Sequence, residues 1–111
     1  MIAISAVGLI NALGNDADEI AANLTRGVAP GMRVREGWLQ GQPQAVFAGV
    51  DATLPAIPAA FSAHRSRNNQ LLLAALAQIQ PQVDEAIARF GRDRVAVCLL
   101  YTSDAADDMQ C

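Results

Sequence analysis

The chain opens on a segment that is almost continuously apolar. Residues 2–9 have the sequence IAISAVGL, which is interrupted only by Ser5 and Gly8. A segment that is apolar on both faces is typical of a central strand in a sheet covered by helices, because a half-exposed strand alternates apolar with polar residues. The pattern therefore predicts a buried first strand at Ile2–Leu9.

A turn and a short helix are predicted directly after this strand. Gly14 and Asn15 are typical turn residues, and Asp16 followed by Glu19 has the spacing of a helix capping box. Gly27 is placed to end the helix, since glycine commonly follows a helix C-terminus. The apolar stripe of this helix would consist of Ile20, Ala21 and Leu24.

The middle of the chain is predicted to contain little regular structure. Residues 28–44 carry five of the residues that interrupt helices and strands, namely Pro30, Gly31, Gly37, Gly41 and Pro43. A short strand is predicted at Ala45–Val50. Residues 51–63 contain two prolines but are apolar rather than rich in Gly and Ser, so we expect an ordered connection and not a flexible linker.

The strongest periodic signal lies in the second half of the chain. Apolar residues recur there at spacings of three and four, at Leu72, Leu76, Ile79, Val83, Ile87 and Phe90. This spacing predicts an amphipathic helix whose apolar stripe belongs to the core. Pro81 has no amide hydrogen and should kink the helix or split it in two, and Gly91 should end it. Arg94–Val97 (RVAV) is predicted to begin a second buried strand.

Composition limits the function more than it identifies it. Residues 1–97 carry eight arginines, no lysine and eight acidic residues, so they are formally neutral. The net charge of −3 arises from Asp104, Asp107 and Asp108. The chain has no run of ~20 apolar residues, no secretory signal and no basic stripe interleaved with aromatic residues. We therefore expect a cytoplasmic protein that binds neither membrane nor nucleic acid.

The last fourteen residues, 98–111, differ in character from the rest. Residues 98–107 can be encoded by TGT CTC TTA TAC ACA TCT GAC GCT GCC GAC, a string that resembles a transposase-based sequencing adapter. We expect 98–111 to be a non-native tail and 1–97 to be the N-terminal part of one domain, with a genuine acidic tail as the alternative. Both cysteines lie in this tail, so disulfide and metal arguments have no basis.

Two stretches of the chain resemble a known family. ISAVGLINALGNDADEIAANLTRG is similar to the N-terminus of β-ketoacyl-acyl carrier protein synthases, the condensing enzymes of the thiolase fold. In that family a strand with a glycine at the position of Gly8 leads to a turn matching Leu13–Asn15 and to a helix ending in a motif that matches Leu24–Gly27. RSRNNQLLLAALAQ and RVAV resemble the family's long helix and its next strand. One departure is Arg67-Asn68, where family members commonly carry Asp-Arg, which indicates a divergent branch such as one that makes polyenes or other polyketides.

The resemblance covers nearly all of residues 2–97 and implies an α/β fold. The expected architecture is a partial thiolase-like fold, with the N-terminal strand–helix units of a layered α/β/α arrangement, truncated before the rest. The implied reaction is a decarboxylative Claisen condensation with malonyl-carrier protein. An acyl group is carried on a cysteine thiolate, and histidines and backbone amides stabilise the developing negative charges.

The resemblance places none of these catalytic groups in the chain. In the family the nucleophile follows the strand that begins at Arg94, and the histidines come later. No catalytic, cofactor-binding or metal-binding residue is therefore expected here, and no cofactor is implied. The implied partners of the whole protein are an acyl carrier protein and a second copy of the synthase.

A structural role explains several residues better than a catalytic or phosphate-binding role does. His64 is the sole histidine and has no authentic cysteine to activate, so we expect it at a helix entry or on the surface. Cys98 follows a predicted strand but is the first residue of the adapter-like tail. The spacing of Gly8 and Gly14-Asn15 matches neither a P-loop nor a dinucleotide fingerprint, so close packing and a turn with positive φ are expected instead.

Other features leave alternatives open. Arg33 and Arg35 either meet the acidic surface of a carrier protein or a phosphopantetheine phosphate, or are simply solvated. Trp38 either contacts a partner or covers the domain surface. The chain as a whole is interpreted as an inactive piece of a condensing enzyme. The alternatives are a stand-alone α/β binding module and a condensation-inactive, synthase-like partner subunit.

Overall fold

The computed structural model describes residues 4–95 of the chain. In this part three α-helices flank and follow one β-hairpin, and two short 3-10 turns connect them. The elements are α1 (Ala17–Arg26), β1 (Met32–Leu39), β2 (Gln42–Ala48), a 3-10 turn (Ala59–His64), α2 (Arg67–Gln78), α3 (Gln80–Phe90) and a second 3-10 turn (Arg92–Arg94). The chain divides into two compact units, of which the first ends at Gln80 and the second begins at Pro81.

The apolar segment at the start of the chain is not a strand in this structure. Residues 4–10 have no ladder partner among the described residues, and the side chain of Ile4 is 83% exposed. Gln78 of α2 instead contacts the backbone of this segment: Leu9 N–H donates to Gln78 Oε1 (3.1 Å), and Gln78 Nε2 donates to the Leu9 carbonyl (2.8 Å). The predicted first strand is therefore wrong over residues 4–9, because a strand requires a neighbouring strand to complete its hydrogen bonds. Residues 2 and 3 lie outside the described part.

The turn before α1 is centred two residues earlier than predicted. Asn11 and Gly14 exchange both of their backbone hydrogen bonds (3.0 and 3.2 Å), which places Ala12 and Leu13 at the tip. Gly14 does not have a positive φ, so that expectation is wrong. Glycine is needed here for space, since a Cβ on Gly14 would lie only 2.8 Å from Cγ of Glu19.

The predicted end signals of α1 are confirmed. Asp16 accepts a hydrogen bond from the Glu19 amide (2.8 Å), and Gly27 follows the helix with a φ of 68°. The capping box is displaced by one residue, because the Glu19 carboxylate accepts from the Asn15 amide (2.7 Å) and not from the amide of the cap residue. Together these contacts satisfy amide groups that have no partner inside the helix.

Replacing Asp16 with alanine should lower the free energy of unfolding of the full-length protein by about 1 kcal/mol, because the first turn of α1 loses its side-chain acceptor. Urea titration followed by circular dichroism measures this loss. Asp18→Ala is the matched control, since Asp18 lies in the same turn and contributes only through the helix dipole, by about 0.5 kcal/mol. Equal losses for the two variants would contradict the capping role.

The region predicted to be irregular contains an antiparallel hairpin. β1 pairs with β2 so that Arg33 lies opposite Phe47 and Arg35 lies opposite Ala45. The prediction of loop structure over 28–44 is therefore wrong for most of its length, whereas the strand predicted at Ala45–Val50 is confirmed as far as Ala48. The hairpin forms because its glycines adopt turn conformations: Gly41, with a φ of 80°, closes a two-residue connection.

A bulge interrupts the hairpin. The register shifts between Glu36 and Leu39, so that Gly37 and Trp38 on β1 face Pro43 alone on β2. Gly37 has a φ of 67°, which glycine adopts without steric cost. Pro43 lies opposite the bulge, a position where a residue without an amide hydrogen is tolerated.

Two hydrogen bonds from side chains of α2 support the predicted ordered connection between β2 and α2. Gln70 Nε2 donates to the carbonyl of Pro55 (2.9 Å), and Arg67 Nη2 donates to the carbonyl of Val50 (3.2 Å). The connection ends in the 3-10 turn at Ala59–His64. The segment is thus fixed at two points by side chains of the helix that follows it.

The predicted splitting of the long helix is confirmed. α2 ends at Gln78, and the next residue, Ile79, has a φ of −113° and a ψ of 9° that are not helical. α3 begins at Gln80 and has Pro81 as its second residue. The break falls two residues before Pro81, because a proline has no amide hydrogen to bond to the preceding turn and is tolerated only in the first turn of a helix. Gly91, with a φ of 87°, ends α3.

The second predicted strand does not begin at Arg94. Arg94 closes the 3-10 turn of Arg92–Arg94, and the extended backbone starts at Val95 (φ −112°, ψ 119°). The predicted start of a strand at Arg94 is therefore wrong. Residues 96 and 97 lie outside the described part of the chain.

Little of the apolar surface is buried. Among residues 4–95, Ile20 is the sole buried large apolar side chain, and Leu24 on the same helix is 66% exposed. The apolar stripe of α2 and α3, which was predicted to belong to the core, contains no buried residue. Leu72 is 42% exposed and Phe90 is 57% exposed. That prediction is wrong in this structure because an apolar stripe is buried only where another element covers it. Asn23, at 2% exposed, is the most deeply buried side chain.

Candidate functional site

The structure places His64 at the surface, ahead of α2. It is the last residue of the 3-10 turn, it is exposed, and its backbone carbonyl accepts a hydrogen bond from Asn69 Nδ2 (2.7 Å). Its side chain borders an open cleft of about 260 Å³ that is lined mainly by apolar side chains, including those of Phe61 and Leu72. This agrees with the predicted helix-entry position. Cys98, the other reactive residue considered, lies outside the described residues.

Gly8 serves the close packing that was predicted for it. Its Cα faces the backbone of α2, so a Cβ built on Gly8 would overlap the carbonyl oxygen of Ala75 and lie 2.9 Å from the carbonyl carbon. Close backbone approach is a common reason for glycine in an extended segment. The segment is therefore held against α2 both by this contact and by Gln78.

The residues with the clearest binding character lie on one face of the hairpin and beside it. They border a cleft of about 380 Å³ whose wall includes Arg33, Arg35, Trp38, Phe47, Asp51 and Arg67. We call this the hairpin cleft. Arg33 and Arg35 share a face because alternate residues of a strand point the same way. Trp38 would point away from Arg35 in a regular strand, but the extra residue of the bulge returns it to the same face.

Each arginine of the hairpin cleft is held by a different contact. Arg33 forms an ion pair with Asp51. The guanidinium of Arg35 lies over the indole ring of Trp38, with Cζ 5.9 Å from the ring centroid, a cation–π arrangement. Arg67 donates to the carbonyl of Val50. The cleft therefore contains three guanidinium groups and one carboxylate, which gives it a formal charge of +2.

Two aromatic rings form the apolar part of the wall. The ring centroids of Trp38 and Phe47 lie 5.0 Å apart at an interplanar angle of 53°, a spacing typical of favourable aromatic pairs. Trp38 is 66% exposed, so its ring presents apolar surface to any molecule that enters. The cleft thus combines positive charge with an aromatic wall.

Sequence reasoning singled out only part of this cleft. It identified Arg33, Arg35 and Trp38 but not Asp51 or Arg67, which come from the connection after β2 and from α2. The spacing of two between Arg33 and Arg35 would have indicated a shared face if the segment had been recognised as a strand. No local signal marks the other two residues, because tertiary structure brings them to the cleft.

A smaller polar pocket of about 140 Å³ lies beside the turn that precedes α1. Its two carboxylates are already engaged, since Glu19 accepts from the Asn15 amide and Asp51 pairs with Arg33. Within residues 4–95 no three His, Cys, Asp or Glu side chains cluster as metal ligands. No helix in that range is long and apolar enough to cross a membrane.

The chain is similar to a protein of known structure. It matches the ketosynthase ApeO from Xenorhabdus doucetiae, solved in complex with its chain length factor ApeC, at 64% sequence identity and with a TM-score of 0.76. The match covers 80% of this chain and 22% of that chain, so the chain spans about a fifth of the length of the protein it matches. Neither a family model nor a curated protein matches it.

Proposed function

We propose, from the premise that this chain is part of a ketosynthase with a thiolase-like α/β fold, that the whole protein catalyses decarboxylative condensation. In the proposed reaction a cysteine thiolate accepts an acyl group as a thioester. Malonyl-carrier protein loses carbon dioxide, and the resulting carbanion attacks the thioester carbonyl. The thiolate leaves, and the product is a β-ketoacyl-carrier protein. The 64% identity to ApeO supports this reaction above any other, and it disfavours a stand-alone binding module.

The proposed role of residues 1–97 is to form scaffold rather than to react. Among residues 4–95, the sole histidine is exposed and has no cysteine partner, so the arrangement that activates a nucleophile is not present there. Gln78 and Gly8 instead position residues 4–9 against α2. We assign the nucleophile and its histidines to the part of the protein that follows, and residues 98–111 to a non-native tail.

The proposed partners are an acyl carrier protein and a second subunit of ketosynthase fold. The resemblance found in the sequence implied a homodimer, whereas ApeO was solved with a chain length factor. That complex supports a heteromeric partner. We propose polyketide or polyene synthesis rather than bulk fatty acid synthesis, on the departure from the family's sequence at Arg67-Asn68.

The second candidate function is that of the inactive partner. The complex that contains ApeO also contains a chain length factor, so both kinds of subunit belong to one assembly. The residue at the nucleophile position of the full-length protein separates the candidates. A cysteine there supports the condensing subunit, and any other residue supports the partner.

Acyl loading tests the proposed function directly. The full-length protein with its partner subunit is incubated with acyl-carrier protein, and mass spectrometry of its peptides locates the acyl group. We expect one cysteine beyond the present chain to be acylated, and its replacement by alanine should abolish condensation with malonyl-carrier protein.

The 111-residue chain serves as the comparison in the same assay. We expect acylation of neither Cys98 nor Cys111, because both lie in the segment assigned to the non-native tail. An acyl group on either sulfur would refute the assignment of the catalytic cysteine to a later part of the protein. Sequencing of the codons for residues 98–111 tests the assignment of the tail independently.

A further inference from the structure

We infer that Gln78 acts in place of a β-strand neighbour for Leu9, and that it thereby fixes the start of the chain and the entry to α1 against α2. Gln78 is the last residue of α2, and its side chain bonds to residues that lie 69 and 63 positions earlier in the sequence. The inference does not rest on the condensation reaction, because the contacts that carry it all lie within residues 8–78.

The hydrogen bonds at Leu9 have the pattern of a strand pair. In an antiparallel ladder, two opposed residues exchange both of their backbone hydrogen bonds. The side-chain amide of Gln78 makes the equivalent pair, since Oε1 accepts from the Leu9 N–H (3.1 Å) and Nε2 donates to the Leu9 carbonyl (2.8 Å). It can do so because a carboxamide carries the same kinds of donor and acceptor as a peptide group. Both backbone groups of Leu9 are therefore engaged by one side chain.

The second hydrogen of the same amide reaches the residue that precedes the cap of α1. Gln78 Nε2 also donates to the carbonyl of Asn15 (2.8 Å). The side chain of Asn15 donates in turn to the carbonyl of Asp51 (3.3 Å). Three of the four hydrogen bonds that a carboxamide can make are thus present. They join α2 to Leu9, to the entry of α1 and, through Asn15, to the connection after β2.

Gly8 provides the space that this contact requires. Position 8 lies directly against α2, since a Cβ there would overlap the carbonyl oxygen of Ala75. Ala75 and Gln78 are three residues apart and therefore share a face of the helix. The close approach at Gly8 brings the next residue, Leu9, within hydrogen-bonding distance of the Gln78 side chain. The glycine thus supplies the space and the glutamine supplies the hydrogen bonds.

This arrangement limits where a sheet can include the start of the chain. A strand that the rest of the protein supplies can pair with residues ahead of Leu9, but on the side of Gln78 the pairing must end at Leu9. Backbone groups that leave a sheet need other partners. Gln78 provides them immediately before the turn that Asn11 and Gly14 close. Gln78 is therefore a positioning residue for this end of the fold.

Hydrogen exchange of the full-length protein with its partner subunit, resolved to single amides by mass spectrometry, tests this inference. We expect the Leu9 amide to be protected in the wild type. Gln78→Met keeps the length and helix propensity of the side chain but makes none of its hydrogen bonds. It should speed exchange at Leu9, and in the turn at Asn11 and Gly14, by at least about tenfold. The Ile20 amide, which donates to a carbonyl within the first turn of α1, is the internal reference and should change by less than about twofold.

Two further variants complete the test. Gln82→Met is the matched control, because it removes an exposed glutamine from α3 and should leave exchange at Leu9 within about twofold of the wild type. Gln78→Glu keeps the shape of the side chain and an acceptor for the Leu9 N–H. When ionised it cannot donate, so a carboxylate would face the carbonyl oxygens of Leu9 and Asn15. We expect it to speed exchange in the turn by at least about tenfold as well.

Three results would overturn the inference. The first is an unprotected Leu9 amide in the wild type, a measurement that requires no variant to fold. The second is a Leu9 amide that stays protected in Gln78→Met, which would mean that a strand neighbour holds this residue. The third is equal acceleration at Leu9 and Ile20 in both Gln78 variants, which would reveal a general loss of stability and not the loss of a local contact.

Discussion

Replacing Gly8 with alanine should prevent the full-length protein from accumulating in folded form. The added methyl group would overlap the carbonyl oxygen of Ala75 and lie 2.9 Å from the carbonyl carbon and 3.5 Å from Cα of the same residue. All three atoms belong to the backbone of α2, so no side-chain rotation relieves the overlap. The extended segment must move away from α2, and its hydrogen bonds to Gln78 are lost with it. We expect a loss of about 3 kcal/mol or more, a large part of the stability of a typical domain.

Gly49→Ala is the matched control for this substitution. A Cβ on Gly49 would have the carbonyl oxygen of Gly31, at 3.9 Å, as its nearest neighbour, and Gly49 does not have a positive φ. We expect this variant to match the wild type in soluble yield and to melt within about 2 °C of it. Similar melting temperatures for Gly8→Ala and the wild type, measured by differential scanning calorimetry, would show that the segment is not held against α2.

The helices could be predicted from the sequence because their signals are local. Asp16 and Gly27 mark the ends of α1, while Pro81 and Gly91 mark the break before α3 and its end. Each acts on backbone groups within four residues of itself, through a cap, a missing amide hydrogen or a left-handed conformation. Such effects do not depend on the rest of the fold.

The sequence predicts a loop in place of the hairpin because glycine and proline usually interrupt regular structure. Gly37 and Gly41 do leave regular strand geometry, but one forms the bulge and the other closes the turn. Turn and bulge residues are part of a hairpin, so a high frequency of glycine and proline is compatible with two short strands. The same error concealed the shared face of Arg33 and Arg35, and with it the hairpin cleft.

At the start of the chain the difference is the reverse, because the sequence predicts a strand and the structure has none over residues 4–9. The apolar pattern of residues 4–9 is that of a segment suited to burial, but burial needs neighbours that the described residues do not supply. Pairing between strands is a property of the whole fold and has no signal within the segment itself. The chain spans about a fifth of the length of ApeO, and under the proposed function the rest of the protein would supply those neighbours.

Expressed alone, the 111-residue chain should be aggregated or molten. Large apolar side chains are exposed on the initial segment, on the hairpin and on α2, at Ile4 (83%), Val34 (59%), Val46 (61%) and Leu72 (42%). Against these, Ile20 is the sole buried large apolar side chain among residues 4–95. Hydrophobic burial must offset roughly 1 to 2 kcal/mol of backbone entropy per ordered residue, and one buried side chain contributes only about 3 kcal/mol.

Amide NMR, analytical ultracentrifugation and binding of a hydrophobic dye measure this outcome. We expect poorly dispersed amide signals, strong dye binding and concentration-dependent association, because unpaired extended segments associate through their free edges. We also expect no carrier-dependent decarboxylation of malonyl groups. The full-length protein under the same conditions should show dispersed signals and weak dye binding. A dispersed spectrum from a monomer of the chain alone would mean that the exposed apolar surfaces are compatible with independent folding. The chain would then be a module in its own right, and its stability would have to come from interactions other than apolar burial.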